Sequence, residues 1–293
     1  SIANNNGLDL SCTVSSTTLT ASGNGTYLWN TGATTAAITV STAGTFTVTV
    51  TGANGCTSTA SVATTLDNTL PGASIANSNG LDLSCTIPST TLTASGNGTY
   101  LWNTGATTAA ITVNTAGTFT VTVTGNNGCT STASVTTTLD NTLPGASIAN
   151  NNGLDLSCTV SSTTLTATGN GSYLWNTGAT TAAITVSTAG TFTVTVTGNN
   201  GCTSVATVST TLDNTLPGAS IANNNGLDLS CSIPSTTWTA NGNGSYLWNT
   251  GATTAAISVN TAGTFTVTVT GANGCTSTAS VSTTLDNTLP GAS

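Results

Sequence analysis

The fold is decided by the stretch GTFTVTVTGANGC at residues 44–56. Phe46, Val48 and Val50 alternate with threonines, and this period of two places the apolar side chains on one face of a β-strand. The Asn–Gly pair of the following turn supplies the positive φ angle that a tight hairpin requires. A last strand is therefore predicted to begin at Cys56. The stretch returns, with Asn for Ala in the turn of two copies, at residues 117–129, 190–202 and 263–275.

The whole sequence repeats in the same way, with a period of 73 residues. Repetition this close is typical of a modular rod or filament. We expect these residues to be a slice of a longer array, which leaves no unique segment for an active site. The predicted domains are the four repeats, at residues 1–73, 74–146, 147–219 and 220–292.

Each repeat is predicted to fold as a small β-sandwich. Alternating apolar residues indicate strands at residues 8–14, 19–21, 27–29, 38–40, 45–51 and 56–66 of the first repeat, with a further short strand possible near 34–37. No segment has a period of 3.6, so no helix is predicted. Six or seven short strands at turn spacings of roughly 8–12 residues are typical of an immunoglobulin-like sandwich. The fold class is therefore all-β, a tandem array of such domains.

The composition excludes several classes of function. The chain has eight acidic residues and no Lys, Arg or His. Nucleic-acid binding needs basic side chains to displace phosphate counterions, and so does docking on anionic lipid. Ser and Cys nucleophiles lose their usual His base. No apolar run is long enough to span a bilayer. We therefore expect no enzyme, no cofactor, no nucleic-acid partner and no membrane insertion.

The cysteines number eight, two in each repeat, without any CxxC pair. No His is present to complete a zinc site, so disulfides in an oxidising, extracellular compartment are the better interpretation. Cys12 and Cys56 are both in phase with core residues, which favours a bond within each repeat. A bond between repeats or between chains is the alternative, and free buried thiols are a third possibility. The predicted disulfide residues are Cys12, Cys56, Cys85, Cys129, Cys158, Cys202, Cys231 and Cys275.

Acidic residues at the repeat boundary and one unusual tryptophan are candidate sites. Asp67 and Asp82 flank the first boundary, with Asn68 and Asn77 nearby, and extracellular modules use weak calcium sites. Two carboxylates are few, so we interpret them as solvated surface charges and predict no bound metal. Trp238 replaces a leucine at an inward position of the fourth repeat, where a rearranged core is favoured over an exposed ring.

The aromatic and threonine residues of the first repeat also have two interpretations. Tyr27 and Trp29 could stack on a sugar, but a tryptophan facing the cysteine strand is usual in immunoglobulin-like cores. The threonines of residues 45–51 would line one sheet face, as ice-binding or glycosylated arrays do. Threonine also simply suits strands, because it is β-branched and compatible with water. We favour the structural interpretation in both cases.

Three runs carry a resemblance to a known family: YLWNTGATT at residues 27–35, AGTFTVTV at 43–50 and NGCT at 54–57. Together they resemble the immunoglobulin-like tandem repeats of giant surface adhesins of Bacteroidota, proteins typically exported by the type IX secretion system. The resemblance covers the whole repeat and recurs four times. It implies an immunoglobulin-like sandwich and a cell-surface filament, as in gliding adhesins or grappling-hook appendages, and it implies no catalytic residue.

The expected function is therefore structural. These residues are predicted to form the shaft of an extracellular, cell-surface adhesive filament that gives reach and associates with copies of itself. Another cell or surface would be contacted through regions outside these residues. The alternative is a repeat module that binds glycan or ice along its length.

Overall fold

The computed structural model describes residues 1–288, which form 28 β-strands. Every regular element among these residues is a strand, so the prediction of an all-β fold is confirmed. The described residues accordingly contain no helix that could cross a membrane.

Each repeat contributes seven strands. The first has β1 Ile2–Asn4, β2 Asp9–Ser11, β3 Thr17–Ala21, β4 Thr26–Trp29, β5 Ala37–Val40, β6 Gly44–Thr51 and β7 Thr57–Asp67. The second has β8 Ser74–Asn77, β9 Asp82–Ser84, β10 Thr90–Ser95, β11 Thr99–Trp102, β12 Ala110–Val113, β13 Gly117–Thr124 and β14 Thr130–Asp140. The third has β15 Ser147–Asn150, β16 Asp155–Ser157, β17 Thr163–Thr168, β18 Ser172–Trp175, β19 Ala183–Val186, β20 Gly190–Thr197 and β21 Thr203–Asp213. The fourth has β22 Ser220–Asn223, β23 Asp228–Ser230, β24 Thr236–Asn241, β25 Ser245–Trp248, β26 Ala256–Val259, β27 Gly263–Thr270 and β28 Thr276–Asp286.

The strands of each repeat form two sheets. In the first repeat one sheet has the order β1-β3-β5 and the other the order β2-β7-β6-β4, and the later repeats follow the same orders. In the first repeat, β2 runs parallel to the end of β7, and the other neighbouring strands are antiparallel. The later repeats have the same parallel pair. Two such sheets packed face to face form an immunoglobulin-like sandwich.

The core lies between the two sheets and is built by the alternation seen in the sequence. In the first repeat Leu19 from one sheet packs with Trp29, Phe46 and Val48 from the other, and all four are buried. Burying each such side chain contributes about 1.5–3 kcal/mol. Each of the four core clusters draws its residues from one repeat only. The inward positions of β3, β4 and β6 are those that the sequence predicts.

The last strand departs from the predicted pattern. Leu66 was expected to face inward, but 38% of its surface is exposed. Thr64 is buried instead, and its hydroxyl donates to the carbonyl oxygen of Thr42 at 2.7 Å. The reason is that Thr64 is the last residue paired with β6, and β7 then continues along β2, beyond the apolar interior.

The first strands also differ from the prediction. β1, at Ile2–Asn4, was not predicted, because three residues show no period. The predicted strand at 8–14 shortens to β2, which ends at Ser11, so Cys12 lies in the loop that follows. Cys56 likewise lies in the turn before β7, and no strand forms over residues 34–36. Both cysteines are therefore loop residues rather than strand residues.

Trp238 is fully buried in the core of the fourth repeat, as the core interpretation predicts. It occupies the position of Leu19 and displaces a neighbour. Leu8 packs against the core of the first repeat, whereas its counterpart Leu227 is 45% exposed. The indole Nε1 of Trp238 has no hydrogen-bond partner. The larger ring therefore costs this repeat an unsatisfied donor and the packing of a partly buried leucine.

The chain separates into two compact units, Ser1–Asn141 and Thr142–Ser293. Each unit holds two repeats. The division into four domains at the predicted boundaries stays a prediction.

Candidate functional site at the junction between repeats

Consecutive repeats within a unit are joined by a disulfide bond. In the first unit Cys12 of one repeat bonds Cys129 of the next, with a Cα–Cα distance of 5.0 Å. In the second unit Cys158 bonds Cys275 at 4.9 Å. Each bond connects cysteines 117 residues apart in sequence, so it crosses the boundary between two sandwiches.

The predicted bond between Cys12 and Cys56 within one repeat is therefore wrong. Its failure follows from the topology. Because β2 is parallel to the end of β7, Cys12 lies beside the Asp67 end of that strand, whereas Cys56 precedes Thr57 at the other end. A strand of this length spans about 33 Å at roughly 3.3 Å per residue, and a disulfide requires Cα atoms within about 7 Å. The pairing between repeats, the alternative from the sequence, is the one that the structure has.

Not every cysteine is bonded as predicted. Cys85 and Cys202 are disulfide-bonded. Cys56 and Cys231 carry free, exposed thiols, contrary to the expectation that all eight cysteines form disulfides. These two residues are the second cysteine of the first repeat and the first cysteine of the fourth.

The linker after β7 is held by hydrogen bonds from the next repeat. The side-chain amide of Asn127 donates to the carbonyl oxygen of Thr69 at 2.9 Å. The backbone N–H of Asn97 donates to the carbonyl oxygen of Pro71 at 3.1 Å. The carboxylate of Asp67 accepts from the Thr69 backbone N–H at 3.0 Å, which turns the chain as β7 ends. The linker is therefore bound along its length.

Two glycines let the repeats approach closely. A Cβ atom at Gly96 would lie 2.5 Å from the carbonyl oxygen of Gly72 in the linker. A Cβ atom at Gly128 would lie 2.1 Å from Cγ2 of Thr13, the residue after the bonded cysteine of the preceding repeat. Real side chains do not approach so closely, so glycine is required at both positions for this contact. Gly128 also has a φ of 76°, which favours glycine.

The second unit repeats this arrangement. Asn273 donates to the carbonyl oxygen of Thr215 at 2.8 Å and to the carboxylate of Asp213 at 3.0 Å. The backbone N–H of Asn243 donates to the carbonyl oxygen of Pro217 at 3.1 Å. The junction is thus a recurring structure that forms from the same sequence in both units.

The junction carboxylates have lowered pKa values. The backbone N–H of Thr69, then its hydroxyl and then the Asn127 amide, hold the pKa of Asp67 below its ordinary value. The pKa of Asp213 is lowered by the corresponding donors of the second unit. These hydrogen bonds favour the charged carboxylate, so the linker is bound best when the aspartate is ionised.

The calcium interpretation gains no support from the geometry. The carboxylate of Asp82 accepts from the hydroxyl of Thr138 at 2.7 Å, within its own sandwich. The Asn77 side chain accepts from the backbone N–H of Gly80 at 2.7 Å. Among residues 1–288 no three or more His, Cys, Asp or Glu side chains gather where they could hold a metal ion.

The aromatic candidates belong to the core. Trp29 is buried, and its Nε1 donates to the carbonyl oxygen of Thr35 at 2.9 Å. Tyr27 is half-buried, and its hydroxyl donates to the carbonyl oxygen of Gly23 at 2.7 Å. Trp29 therefore lies inside the core, and the Tyr27 ring packs against that core.

The threonine ladder pairs with its neighbouring strand. The hydroxyls of Thr47 and Ser61 are 2.8 Å apart, and those of Thr120 and Ser134 are 2.7 Å apart. At least one hydroxyl of the ladder in each of these two repeats is therefore hydrogen-bonded across the sheet.

The sequence did not reveal the residues that bind the linker. The Asn–Gly pair at Asn127 was interpreted as a turn signal only, although its side chain also reaches the preceding repeat. The signal that could have found it is the recurrence of this asparagine beside a cysteine in every repeat. The sequence does not show which end of the sandwich holds that turn, so the contact of Asn127 with the linker could not be predicted.

No protein-family model matches the chain, and no curated protein matches it. Solved structures do. A structure described as a Ca²⁺-stabilized adhesin that helps an Antarctic bacterium reach out and bind ice matches with a TM-score of 0.49 and 20% identity, over 92% of this chain and 94% of that one. A tetra-tandem repeat in the extending region of a large adhesion protein matches with a TM-score of 0.24 and 14% identity, over 92% and 95%.

Immunoglobulin arrays from other proteins match as well. Immunoglobulin domains 1–5 of Sidekick-1 have a TM-score of 0.26 and 12% identity, over 96% of this chain and 78% of that one. At these identities and TM-scores, none of the similar structures assigns a function to this chain.

Proposed function

We propose that these residues form the shaft of an extracellular adhesive filament, a stiff spacer that sets how far a gripping element stands from its surface. The observation that carries this proposal is the disulfide Cys12–Cys129, which joins two sandwiches covalently across their boundary. The bound linker and the close glycine contacts remove further freedom at the same boundary. A tether between independent domains would need none of these features, since domain boundaries usually lie in flexible linkers.

The proposal is of a non-enzymatic role. The chain has no Lys, Arg or His, which leaves aspartate as the plausible general base. Asp67 and Asp82 both accept hydrogen bonds from neighbouring threonines and serve the junction and the sandwich. The polar groups of this chain are thus used to hold the fold and its junctions.

The proposed location is the cell surface. Disulfides persist in oxidising compartments, and two of them join the repeats of this chain. The resemblance to repeats of giant Bacteroidota adhesins adds export by the type IX secretion system to the proposal. The gripping element and its target on another cell or surface would belong to regions outside these residues.

Self-association of parallel copies completes the proposal. One exposed leucine recurs in each repeat on the outward face of the four-stranded sheet, and each is 53–54% exposed: Leu28, Leu101, Leu174 and Leu247. Two copies in register would meet the same apolar contact in every repeat, and such weak contacts add through effective concentration. The absence of Lys, which commonly protects strand edges, removes a barrier to such association.

The test is a change in repeat number in cells that produce the protein. Deleting residues 74–219 removes two whole repeats and leaves the cysteine pattern in register, so the surface fibre should shorten by the length of two repeats. Gold-labelled antibodies against the repeat should mark the fibre in electron micrographs, and the full-length protein is the matched control. A fibre of unchanged length, or label that lies away from any fibre, would rule out the shaft function.

A further inference from the structure

The junction in each unit depends on an Asn–Gly pair in the turn before the last strand. The pair is Asn127–Gly128 in the first unit and Asn273–Gly274 in the second. The asparagine side chain binds the preceding linker. The glycine leaves room for a threonine of the preceding repeat, since a Cβ atom at Gly128 or at Gly274 would lie 2.1 Å from that side chain. This contact therefore requires an asparagine followed directly by a glycine.

An Asn–Gly sequence is the dipeptide most prone to deamidation. The backbone nitrogen of the following residue attacks the side-chain amide carbon of the asparagine, and glycine has no Cβ atom to obstruct the attack. The reaction needs a side-chain amide that is free to rotate and a backbone nitrogen that is free of hydrogen bonds. A fold that holds these groups therefore slows the reaction.

The closed junction holds all the reacting groups of this pair. The Asn127 Nδ2, which would leave, donates to the carbonyl oxygen of Thr69 at 2.9 Å. Its Oδ1 accepts from the Cys129 N–H at 3.1 Å. The N–H of Gly128, which would attack, donates to the Gly125 carbonyl oxygen at 2.9 Å. The three corresponding distances in the second unit are 2.8, 3.1 and 2.9 Å.

The first of these contacts differs from the other two, because it comes from the neighbouring sandwich. The hydrogen bonds of Cys129 and Gly128 lie within one turn and do not involve the linker. The bond to Thr69 joins the turn to the linker, so it is lost when the two sandwiches separate. Opening the junction therefore frees the asparagine amide for rotation.

The product of deamidation does not fit the closed junction. The Nδ2 of Asn273 lies 3.0 Å from the carboxylate of Asp213 and 2.8 Å from the carbonyl oxygen of Thr215. A carboxylate at position 273 would have no donor for either acceptor and would place two negative charges side by side. In the first unit the Asn127 amide likewise donates to the Asp67 side chain and helps to lower its pKa.

We propose that Asn127 and Asn273 are deamidation sites that the closed junction protects and the opened junction exposes. Because the product no longer binds the linker, each event prevents the same junction from closing again. The junction thus keeps a covalent record of having been opened by force or by reduction. This inference is independent of the shaft proposal, because it requires only the contact between the two sandwiches of one unit.

The reaction needs water and no other co-reactant. The Gly128 nitrogen forms a bond to the Asn127 side-chain carbon, and the bond from that carbon to Nδ2 breaks. The amide proton of the glycine leaves with Nδ2 as ammonia, and a five-membered succinimide ring remains. Water then opens the ring at either carbonyl carbon. The product is aspartate or isoaspartate, and the latter carries the main chain through the side-chain carbon.

The first experiment follows deamidation at single asparagines in the full chain, kept folded in mildly alkaline buffer. A chain with Cys12→Ser and Cys129→Ser lacks the covalent bond of the first junction and gains no free thiol. Mass spectrometry of peptic peptides should show Asn127 deamidating at least about tenfold faster in this variant than in the oxidised chain, because the junction opens more often.

The internal control is Asn6–Gly7, an Asn–Gly pair that is held within one sandwich. The Asn6 amide donates to the Ser16 carbonyl oxygen at 3.2 Å, and the Gly7 N–H donates to the Asn4 side chain at 2.7 Å. Opening the junction leaves these contacts in place, so Asn6 should deamidate at the same rate in both chains. An unchanged rate at Asn127 would overturn the proposal. So would an equal acceleration at Asn6, since the sandwich and not the junction would then be the protecting structure.

The second experiment tests whether the product keeps the junction open. Asn127→Asp reproduces one product, and Asn126→Asp is the matched control, which adds the same charge at an exposed position one residue away. The readout is hydrogen exchange of the Asn97 N–H, which donates to the linker carbonyl of Pro71 at 3.1 Å. Exchange should be at least about tenfold faster in Asn127→Asp and little changed in Asn126→Asp. Equal exchange in the two variants would refute the proposed record of opening.

Discussion

Reduction of the disulfides should lengthen the fully stretched chain about fivefold. The bonds Cys12–Cys129 and Cys158–Cys275 each bypass 117 residues of sequence. An extended chain spans at most about 3.5 Å per residue, so each bond removes about 400 Å from the taut path. The oxidised chain can then reach only about 200 Å, against about 1,000 Å for all 293 residues after reduction.

The shortcut also decides which parts of the fold carry tension. Residues 13–128 lie inside the first closed loop, so strands β3–β13 bear no load when the chain is pulled from its ends. Tension passes from β2 through the disulfide to the turn before β14, and it bypasses the linker at residues 68–73. Strands β3–β7 of the first repeat and β8–β13 of the second are thereby protected from unfolding by force.

Single-molecule pulling with handles at both ends measures this directly. A chain with Cys56→Ser and Cys231→Ser is the suitable background, because it cannot link to other copies and keeps the bonds between repeats. The same molecule should show a total extension of about 200 Å when oxidised and unfolding steps that add about 800 Å after a reductant. Unfolding steps beyond about 200 Å in the oxidised molecule, or identical traces in both states, would refute the reasoning.

Two further predictions concern stability. Trp238→Leu should stabilise the fourth repeat by about 1 kcal/mol. It removes an unsatisfied buried donor and lets Leu227 pack against the core, and these two gains together outweigh the lost ring surface. A lower denaturant midpoint for the variant would contradict this. The first junction should weaken as pH falls below about 4, because the folded-state pKa of Asp67 is lowered and its contribution is lost as the carboxylate protonates. An NMR pH titration of the Thr69 amide should follow that transition, and Asp67→Asn, the matched control, should abolish it.

The sequence by itself determined the all-β class, the repeat and much of the core. Alternation with a period of two is a local property, and a strand with one apolar face can bury that face in only one register. Trp29, Phe46 and Val48 therefore face inward, as the pattern predicts. The absence of Lys, Arg and His argues against nucleic-acid binding and against catalysis with a histidine base. This argument does not depend on the fold.

Only the tertiary structure decided which cysteines meet. Cys12 and Cys56 look equivalent to core residues in the sequence, but each lies just outside a strand, at opposite ends of the sandwich. Their positions depend on the parallel pairing of β2 with the far end of β7, a non-local contact that no short-range pattern encodes. That one pairing brings Cys12 to the boundary where Cys129 of the next repeat lies, and so turns a predicted bond within a domain into a bond between domains.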